Sequence, residues 1–168
     1  YDPTATIDDS SCVYCNLTSS VTTWNPLCNG DVTGGAAITP AGGCAPYTYS
    51  WVSPTGFTGA TQMLNGIPAG TYFYTVTDCN GCSVTGSVTI TEPLVLAAIV
   101  TTTDVTCNGM CDGTATITPT GGCAPYTYLW GNGQTTSTAS GLCAGTYTYT
   151  VTDCNGCSYT GSVTITEP

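Results

Sequence analysis

Lysine, arginine and histidine are all absent from the 168-residue chain, and its ten charged side chains are acidic. A nucleic-acid-binding surface needs cations to displace the counterions of phosphates, so we expect no nucleic-acid partner. Catalytic triads and most general acid–base sites use histidine or lysine, so we expect no enzyme. The longest apolar run covers residues 94–100. It is too short for a bilayer, which takes about 20 residues, so we expect no membrane insertion.

Cysteine, in contrast, is abundant. The chain has twelve cysteines, and an even number at this density is typical of a disulfide scaffold in an oxidising compartment. We therefore expect a secreted protein located at the cell surface.

The chain contains an internal repeat. The octapeptide GGCAPYTY occurs at 42–49 and 121–128, an offset of 121 − 42 = 79 residues, and TVTDCNGC occurs at 75–82 and 150–157, an offset of 150 − 75 = 75. The smaller offset indicates a four-residue deletion between Trp130 and Gly145 of the second copy. We divide the chain into an acidic, cysteine-containing segment (1–23), repeat 1 (24–93) and repeat 2 (94–168).

At the end of the segment 1–23 lies a strand-like piece, 17–24, whose strand edge must pair with or pack against another part of a protein. It either packs on repeat 1, serves as a linker, or acts as a donor strand that adds to the sheet edge of a neighbouring subunit.

Each repeat has the sequence pattern of β-structure. Thr, Val, Tyr and Ile alternate with period two, and Asn80-Gly81 and Asn155-Gly156 indicate hairpin turns. The spacing of Tyr72 and Tyr147 from upstream glycines resembles the tyrosine corner of immunoglobulin-type sandwiches. We therefore predict an all-β protein of two tandem immunoglobulin-like β-sandwich modules, with repeat 2 strands at 94–103, 112–118, 126–130, 134–140, 145–153 and 157–166.

The repeat also constrains the disulfides. Cys111 and Cys143 occur only in repeat 2, so we predict that they bond to each other. For the cysteines that both repeats share, a bond across the Cys-Asn-Gly-Cys turn is the alternative to our prediction. We predict the pairs Cys28–Cys82, Cys44–Cys79, Cys107–Cys157 and Cys123–Cys154, and we leave Cys12 and Cys15 to each other or to another chain.

The Cys-Asn-Gly-Cys turns suggest two functions. A redox or metal site would need a low thiol pKa, yet the chain has no cation to lower it. We favour the structural interpretation, in which Asp78 and Asp153 cap the turn through hydrogen bonds to the backbone.

Together these motifs resemble the SprB repeat family of bacterial surface adhesins. The resemblance rests on CNG…DGTATI at 107–117, GGCAPYTYLW at 121–130, LCAGTY at 142–147 and VTDCNGC at 151–157. It implies immunoglobulin-like repeats, a cell-surface location and an adhesive or stalk role. The first twelve residues are similar to calcium-binding thrombospondin type 3 segments.

Three binding or modification sites are candidates. Asp2, Asp8 and Asp9 supply hard oxygen ligands for calcium, and Asp104 and Asp112 form a second candidate pair. Asn16 begins an N-x-T glycosylation sequence. Trp24, Trp51 and Trp130 could stack on sugars, although the equivalent positions of Trp51 and Trp130 favour a place in the core.

We therefore expect a non-catalytic extracellular structural protein, the subunit of a surface filament or adhesin stalk. Its partners would be copies of itself, assembled head to tail, and it would be glycosylated. Two alternatives stay open: a carbohydrate-binding adhesin module that recognises surface glycans, and a calcium-stabilised fragment of a long monomeric adhesin. Apart from calcium, no cofactor is expected.

Overall fold

The computed structural model describes residues 15–168, which form β-strands and turns and no helix. Accordingly, no helix within these residues is suited to crossing a membrane. The described chain divides into two compact units. Unit 1 consists of residues 15–26 and 31–91, and unit 2 consists of residues 27–30 and 92–168.

Unit 1 is a sandwich of a three-stranded and a four-stranded sheet, ordered β1-β2-β5 and β4-β3-β6-β7, in which every pair is antiparallel. Period-two alternation places one face of each strand in the core, as in the buried, intermediate and exposed positions of β7. The strands are β1 (Thr18–Trp24), β2 (Gly34–Ala41), β3 (Thr48–Val52), β4 (Thr58–Gly59), β5 (Met63–Ile67), β6 (Gly70–Thr77) and β7 (Ser83–Ile90).

Unit 2 repeats this architecture with two three-stranded antiparallel sheets, ordered β11-β9-β8 and β10-β12-β13. It has no counterpart of β4, because the four-residue deletion shortens the segment between its third strand and the next. The strands are β8 (Ala97–Thr103), β9 (Gly113–Thr120), β10 (Thr127–Trp130), β11 (Thr138–Leu142), β12 (Gly145–Thr152) and β13 (Ser158–Ile165). These bounds agree with the predicted strands to within a few residues.

Each unit has its own core between its two sheets. Trp51 of β3 and Trp130 of β10 are fully buried at the centres, and each indole N–H donates to a main-chain oxygen at 2.9 Å, that of Thr61 and of Thr136. The indole is therefore both packed and satisfied in its hydrogen bonding. Around Trp51 lie Ala36, Ile38, Leu64, Ile67, Tyr72, Val76 and Ile90, and around Trp130 lie Ala115, Ile117, Ala139, Leu142, Tyr149, Val151 and Ile165.

The predicted tyrosine corner is present in both units. The hydroxyl of Tyr72 donates to the main-chain oxygen of Pro68 at 3.0 Å, and that of Tyr147 donates to the oxygen of Cys143 at 3.1 Å. With the buried tryptophan and the sheet order, this feature confirms the prediction of two immunoglobulin-like β-sandwiches.

The first strand changes the predicted division of the chain. β1 pairs with β2 along its whole length, from Thr18 opposite Ala41 to Trp24 opposite Gly35. The strand therefore completes the sheet of its own unit, and repeat 1 begins before residue 24. Its counterpart is β8, which begins at Ala97, one repeat offset (97 − 18 = 79) after Thr18. The two strands share only the tripeptide Val-Thr-Thr, at 21–23 and 100–102, which is too short a match to mark a repeat boundary by itself.

Candidate functional site

The site with the most specific geometry is the hairpin turn that carries Asp-Cys-Asn-Gly-Cys, between β6 and β7 in unit 1. The main-chain N–H of Asp78 donates to the oxygen of Cys82 at 2.9 Å, and that of Gly81 donates to the oxygen of Asp78 at 3.1 Å. Gly81 has a φ of 82°, a conformation that costs glycine little. Asn-Gly therefore forms the turn that the sequence predicts.

A buried carboxylate organises this turn. Asp78 is 6% exposed, and its Oδ1 accepts hydrogen bonds from the main-chain N–H groups of Asn80 and Cys82, both at 2.9 Å. Its Oδ2 accepts a third bond, at 3.2 Å, from the N–H of Cys44 in the β2–β3 loop. We call this arrangement the aspartate clasp. Because hydrogen bonds to an ionised acceptor are stronger than neutral ones, three of them hold the buried charge without a cation.

Unit 2 contains the same clasp. Asp153 is also 6% exposed and accepts from the N–H groups of Asn155 and Cys157 at 2.9 Å and of Cys123 at 3.1 Å. The predicted turn-capping role is therefore what the geometry shows, but each carboxylate also reaches a second loop. This additional bond joins two loops that are distant in sequence.

Glycine is required beside the clasp. A Cβ atom on Gly43 would lie 2.6 Å from Oδ2 of Asp78, and one on Gly122 would lie 2.6 Å from Oδ2 of Asp153. Both glycines also have positive φ, 63° and 58°. The Gly-Gly-Cys sequence that both repeats share therefore leaves room for the carboxylate.

Next to each clasp lies a disulfide. Cys44 bonds to Cys79 and Cys123 bonds to Cys154, the pairs that we predict, and the alternative bond across the turn is absent in both. The N–H of Cys79 also donates to the oxygen of Cys44 at 3.1 Å. Because these cysteines are oxidised and paired with another loop, the turn offers no thiolate pair for metal binding or redox exchange.

The second cysteine of each turn departs from the prediction. Cys82 bonds to Cys15 rather than to Cys28, and Cys157 bonds to Cys28 rather than to Cys107. The predicted pairs Cys28–Cys82 and Cys107–Cys157 are therefore wrong. For Cys15, neither of the two alternatives, a bond to Cys12 or to another chain, is what the structure shows.

The reason lies in the segment that leads into each sandwich. Cys15 precedes β1 at the position that Leu94 holds before β8 (94 − 15 = 79), so only unit 1 has a cysteine there. Unit 2 recruits Cys28 instead, since residues 27–30 belong to this unit. Our symmetric prediction assumed that both repeats close in the same way.

Four cysteines remain: the extra pair of repeat 2, Cys107 of the shared set, and Cys12 of the N-terminal segment. Cys111 bonds to Cys143, as the paired occurrence predicts. Cys107 is exposed and is the free cysteine of the described residues, and Cys12 lies outside them.

A further set of contacts escaped sequence reasoning. The carboxylate of Glu92 accepts from the N–H of Gly30 at 2.7 Å, and that of Glu167 accepts from the N–H of Gly109 at 3.1 Å. Each glutamate thus holds the Cys-Asn-Gly loop of one repeat. The signal was the ending GSVTITEP that both repeats share at 86–93 and 161–168.

Asp104 and Asp112, the second candidate pair for calcium, each accept hydrogen bonds from a threonine. The backbone N–H of Thr166, which donates to Asp104 at 2.8 Å, holds the pKa of this carboxyl below its usual range. The hydroxyl and then the N–H of Thr106 lower the pKa of Asp112. Between residues 15 and 168, no three His, Cys, Asp or Glu side chains cluster as metal ligands.

The repeat geometry agrees with a comparison of protein families. The SprB repeat family model matches residues 20–56 and 99–135. The two matches are consistent with two tandem copies of this repeat. SprB repeats occur in cell-surface proteins, and the five disulfides agree with an extracellular location. No curated protein matches the chain.

Two solved structures are similar over most of the chain. The C-terminal 282-residue fragment of intimin, in complex with the intimin-binding domain of its translocated receptor, is 13% identical with a TM-score of 0.44. The match covers 89% of this chain and 64% of that one, so the chain spans about two thirds of the fragment. The amphioxus IgVJ-C2 molecule is 14% identical with a TM-score of 0.34, and the match covers 88% and 96% of the two chains.

The glycosylation and sugar-binding candidates have different surroundings. Asn16 is exposed, and its Oδ1 accepts from the N–H of Gly43 at 2.8 Å. Trp51 and Trp130 lie in the cores and offer no face to a sugar, whereas Trp24 is half-buried. The calcium candidates Asp2, Asp8 and Asp9 lie outside the described residues.

We predict that Asp78→Asn destabilises unit 1 by about 1–3 kcal/mol, because the amide nitrogen would face the N–H of Cys44 and leave this donor unsatisfied. A urea titration followed by the amide NMR signals of β6 measures the change in the free energy of unfolding. The matched control is Asp31→Asn, which alters an exposed carboxylate of the same unit. Equal stability of the two variants would contradict the clasp.

Proposed function

We propose that this chain is a non-catalytic structural protein, the subunit of a surface filament or adhesin stalk, assembled head to tail and glycosylated. The observation that carries the proposal is the duplication of a self-contained, stapled sandwich. Each SprB repeat has its own tryptophan-centred core and its own aspartate clasp, with a disulfide beside it. Such a unit adds length to a chain without depending on a neighbour for its core.

The surface chemistry supports a structural role. Shallow depressions of about 310 and 360 Å³ lie beside Trp51 and Trp130, and main chain, apolar side chains and hydroxyls line them. A hydrolytic or transfer reaction needs a nucleophile next to an acid or base, and the linings contain no carboxylate or thiol.

Self-association is supported by the apolar groups that the sheets leave exposed. Val52 and Phe73 are register partners on β3 and β6, and they are 46% and 47% exposed on the outer face of their sheet. Neighbouring apolar side chains on a sheet face provide a surface that a second copy can cover. Each copy carries a net charge of −10, and at physiological salt the repulsion between exposed charges on two copies is largely screened beyond about 8 Å.

The chain has few charged side chains to keep it soluble, and glycans would supply additional solubility. Asn16 is exposed, and its Oδ1 is engaged with Gly43, whereas its Nδ2 donates to no described group and is the atom that carries an N-linked glycan. The exposed hydroxyl groups of the strands are further acceptors for O-linked sugars.

We expect filaments in negative-stain images of the protein isolated from its own cell surface, with early elution of the same sample in size-exclusion chromatography. Phe73→Ser should reduce filament length, because it removes the larger exposed apolar group of the β3–β6 face. The matched control is Leu129→Ser, which alters an exposed side chain of unit 2. Strictly monomeric particles from the native surface would refute assembly.

Mass spectrometry of the native protein tests glycosylation. We expect a glycan mass on the peptide that contains Asn16, and its loss in Asn16→Asp, which keeps the oxygen acceptor for Gly43 but has no amide nitrogen. An unmodified Asn16 peptide from native material would contradict the N-linked site, and unmodified Ser and Thr peptides would contradict O-linked sites.

A further inference from the structure

We propose that Cys107 is an attachment point for a further SprB module, and that it forms a disulfide with the second cysteine of that module's Asp-Cys-Asn-Gly-Cys turn. The inference deepens the proposed structural role, on which it rests, by specifying a covalent bond between successive modules.

The cysteine that is equivalent to Cys107 in repeat 1 has a disulfide partner. Cys28 and Cys107 hold the same position in the two repeats (107 − 28 = 79), and each begins a Cys-Asn-Gly sequence. Cys28 bonds to Cys157, the second cysteine of the turn between β12 and β13. Cys107 is exposed and unpaired in the described part of the chain. The repeat therefore shows what kind of cysteine a residue at this position binds.

The loop around Cys107 shares one kind of hydrogen bond with the bonded loop. Glu167 accepts from the N–H of Gly109 at 3.1 Å, as Glu92 accepts from the N–H of Gly30 at 2.7 Å. In the bonded loop, the main-chain oxygen of Leu27 also accepts from Nδ2 of Asn155 at 2.9 Å. Because a shared turn supplies this asparagine, an incoming turn would bring both the cysteine and the hydrogen-bond donor.

The two cysteines of each turn differ in where their partners lie. In both turns the first cysteine bonds within its own unit, Cys79 to Cys44 and Cys154 to Cys123. The second cysteine takes its partner from a segment upstream in the chain: Cys82 bonds to Cys15, and Cys157 bonds to Cys28. Both second cysteines of this chain are thus occupied. A partner of this kind for Cys107 therefore comes from another module, since Cys12, which lies outside the described residues, is not a turn cysteine.

The chemistry is thiol–disulfide exchange with a low-molecular-weight disulfide as the oxidant. The Cys107 thiolate attacks one sulfur of glutathione disulfide and releases one glutathione thiolate. The thiolate of the incoming turn then attacks the Cys107 sulfur of the mixed disulfide and releases the second glutathione. One protein S–S bond forms, one glutathione S–S bond breaks, and the two protons of the protein thiols pass to the released glutathione.

A three-module chain tests the proposal. A second copy of residues 94–168 is added after Pro168, which recreates the junction of residues 92–94. In this copy Cys107→Ser leaves a single Cys107 in the chain, and Ser158→Thr gives the added Cys157 peptide a distinct mass. Cys12 is kept, so that a bond between Cys12 and Cys107 would be detected. The chains are folded in a glutathione redox buffer, alkylated without reduction and digested with pepsin. We expect a cross-linked peptide that joins Cys107 to the added copy of Cys157, and a roughly tenfold drop in alkylation of Cys107 relative to the two-module chain.

The matched control is the three-module chain with Cys107→Ser, in which the added copy of Cys157 should become alkylated while the other disulfides persist. The proposal is overturned if Cys107 and the added cysteine both stay alkylated in the three-module chain, if Cys107 bonds to Cys12, or if Cys107 instead joins two chains through Cys107 of each. Electron microscopy of the same samples separates the two proposals. The cross-link without filaments contradicts only the proposal of filament assembly, and filaments without the cross-link contradict only the proposed disulfide.

Discussion

The aspartate clasp is the constraint on which the rest of each sandwich depends. A carboxylate that is 6% exposed lies in a chain without a single cation, and three backbone N–H groups are its partners. An unpaired buried charge is costly, so the turn and the facing loop must keep the geometry that supplies these donors. The clasp therefore fixes two loops at once and leaves space for nothing larger than glycine beside Oδ2.

The disulfides follow from this geometry. By holding the Cys44 and Cys123 loops against their turns, the clasp brings the first cysteine of each turn into bonding position. The second cysteine points toward whatever segment precedes or adjoins the sandwich, which differs between the repeats. A sandwich of this size buries a small core, and closing loops of such lengths contributes about 2–4 kcal/mol per bond. Covalent staples and a carboxylate network replace the surface ion pairs that this composition excludes.

Much of this architecture could be predicted from the sequence, because it depends on local patterns. Period-two alternation gave the strands, Asn-Gly gave the turns, and comparing the repeats gave Cys44–Cys79, Cys123–Cys154 and Cys111–Cys143. The partners of Cys82 and Cys157 could not be predicted in this way, because the residue three positions before the first strand is cysteine in one repeat and leucine in the other. Nor could the sequence show that residues 17–24 complete their own sheet or that Glu92 and Glu167 bind distant loops, since these contacts depend on tertiary packing.

The central claim is that the carboxylate, rather than the adjacent disulfide, orders the turn. Amide hydrogen exchange in the Cys123→Ser/Cys154→Ser variant tests it most directly, because this variant removes the staple and keeps Asp153. We predict that the N–H groups of Asn155 and Cys157 still exchange roughly a hundredfold more slowly than in an unstructured peptide. Exchange of both amides at the peptide rate, while the amides of β12 stay protected, would contradict the account.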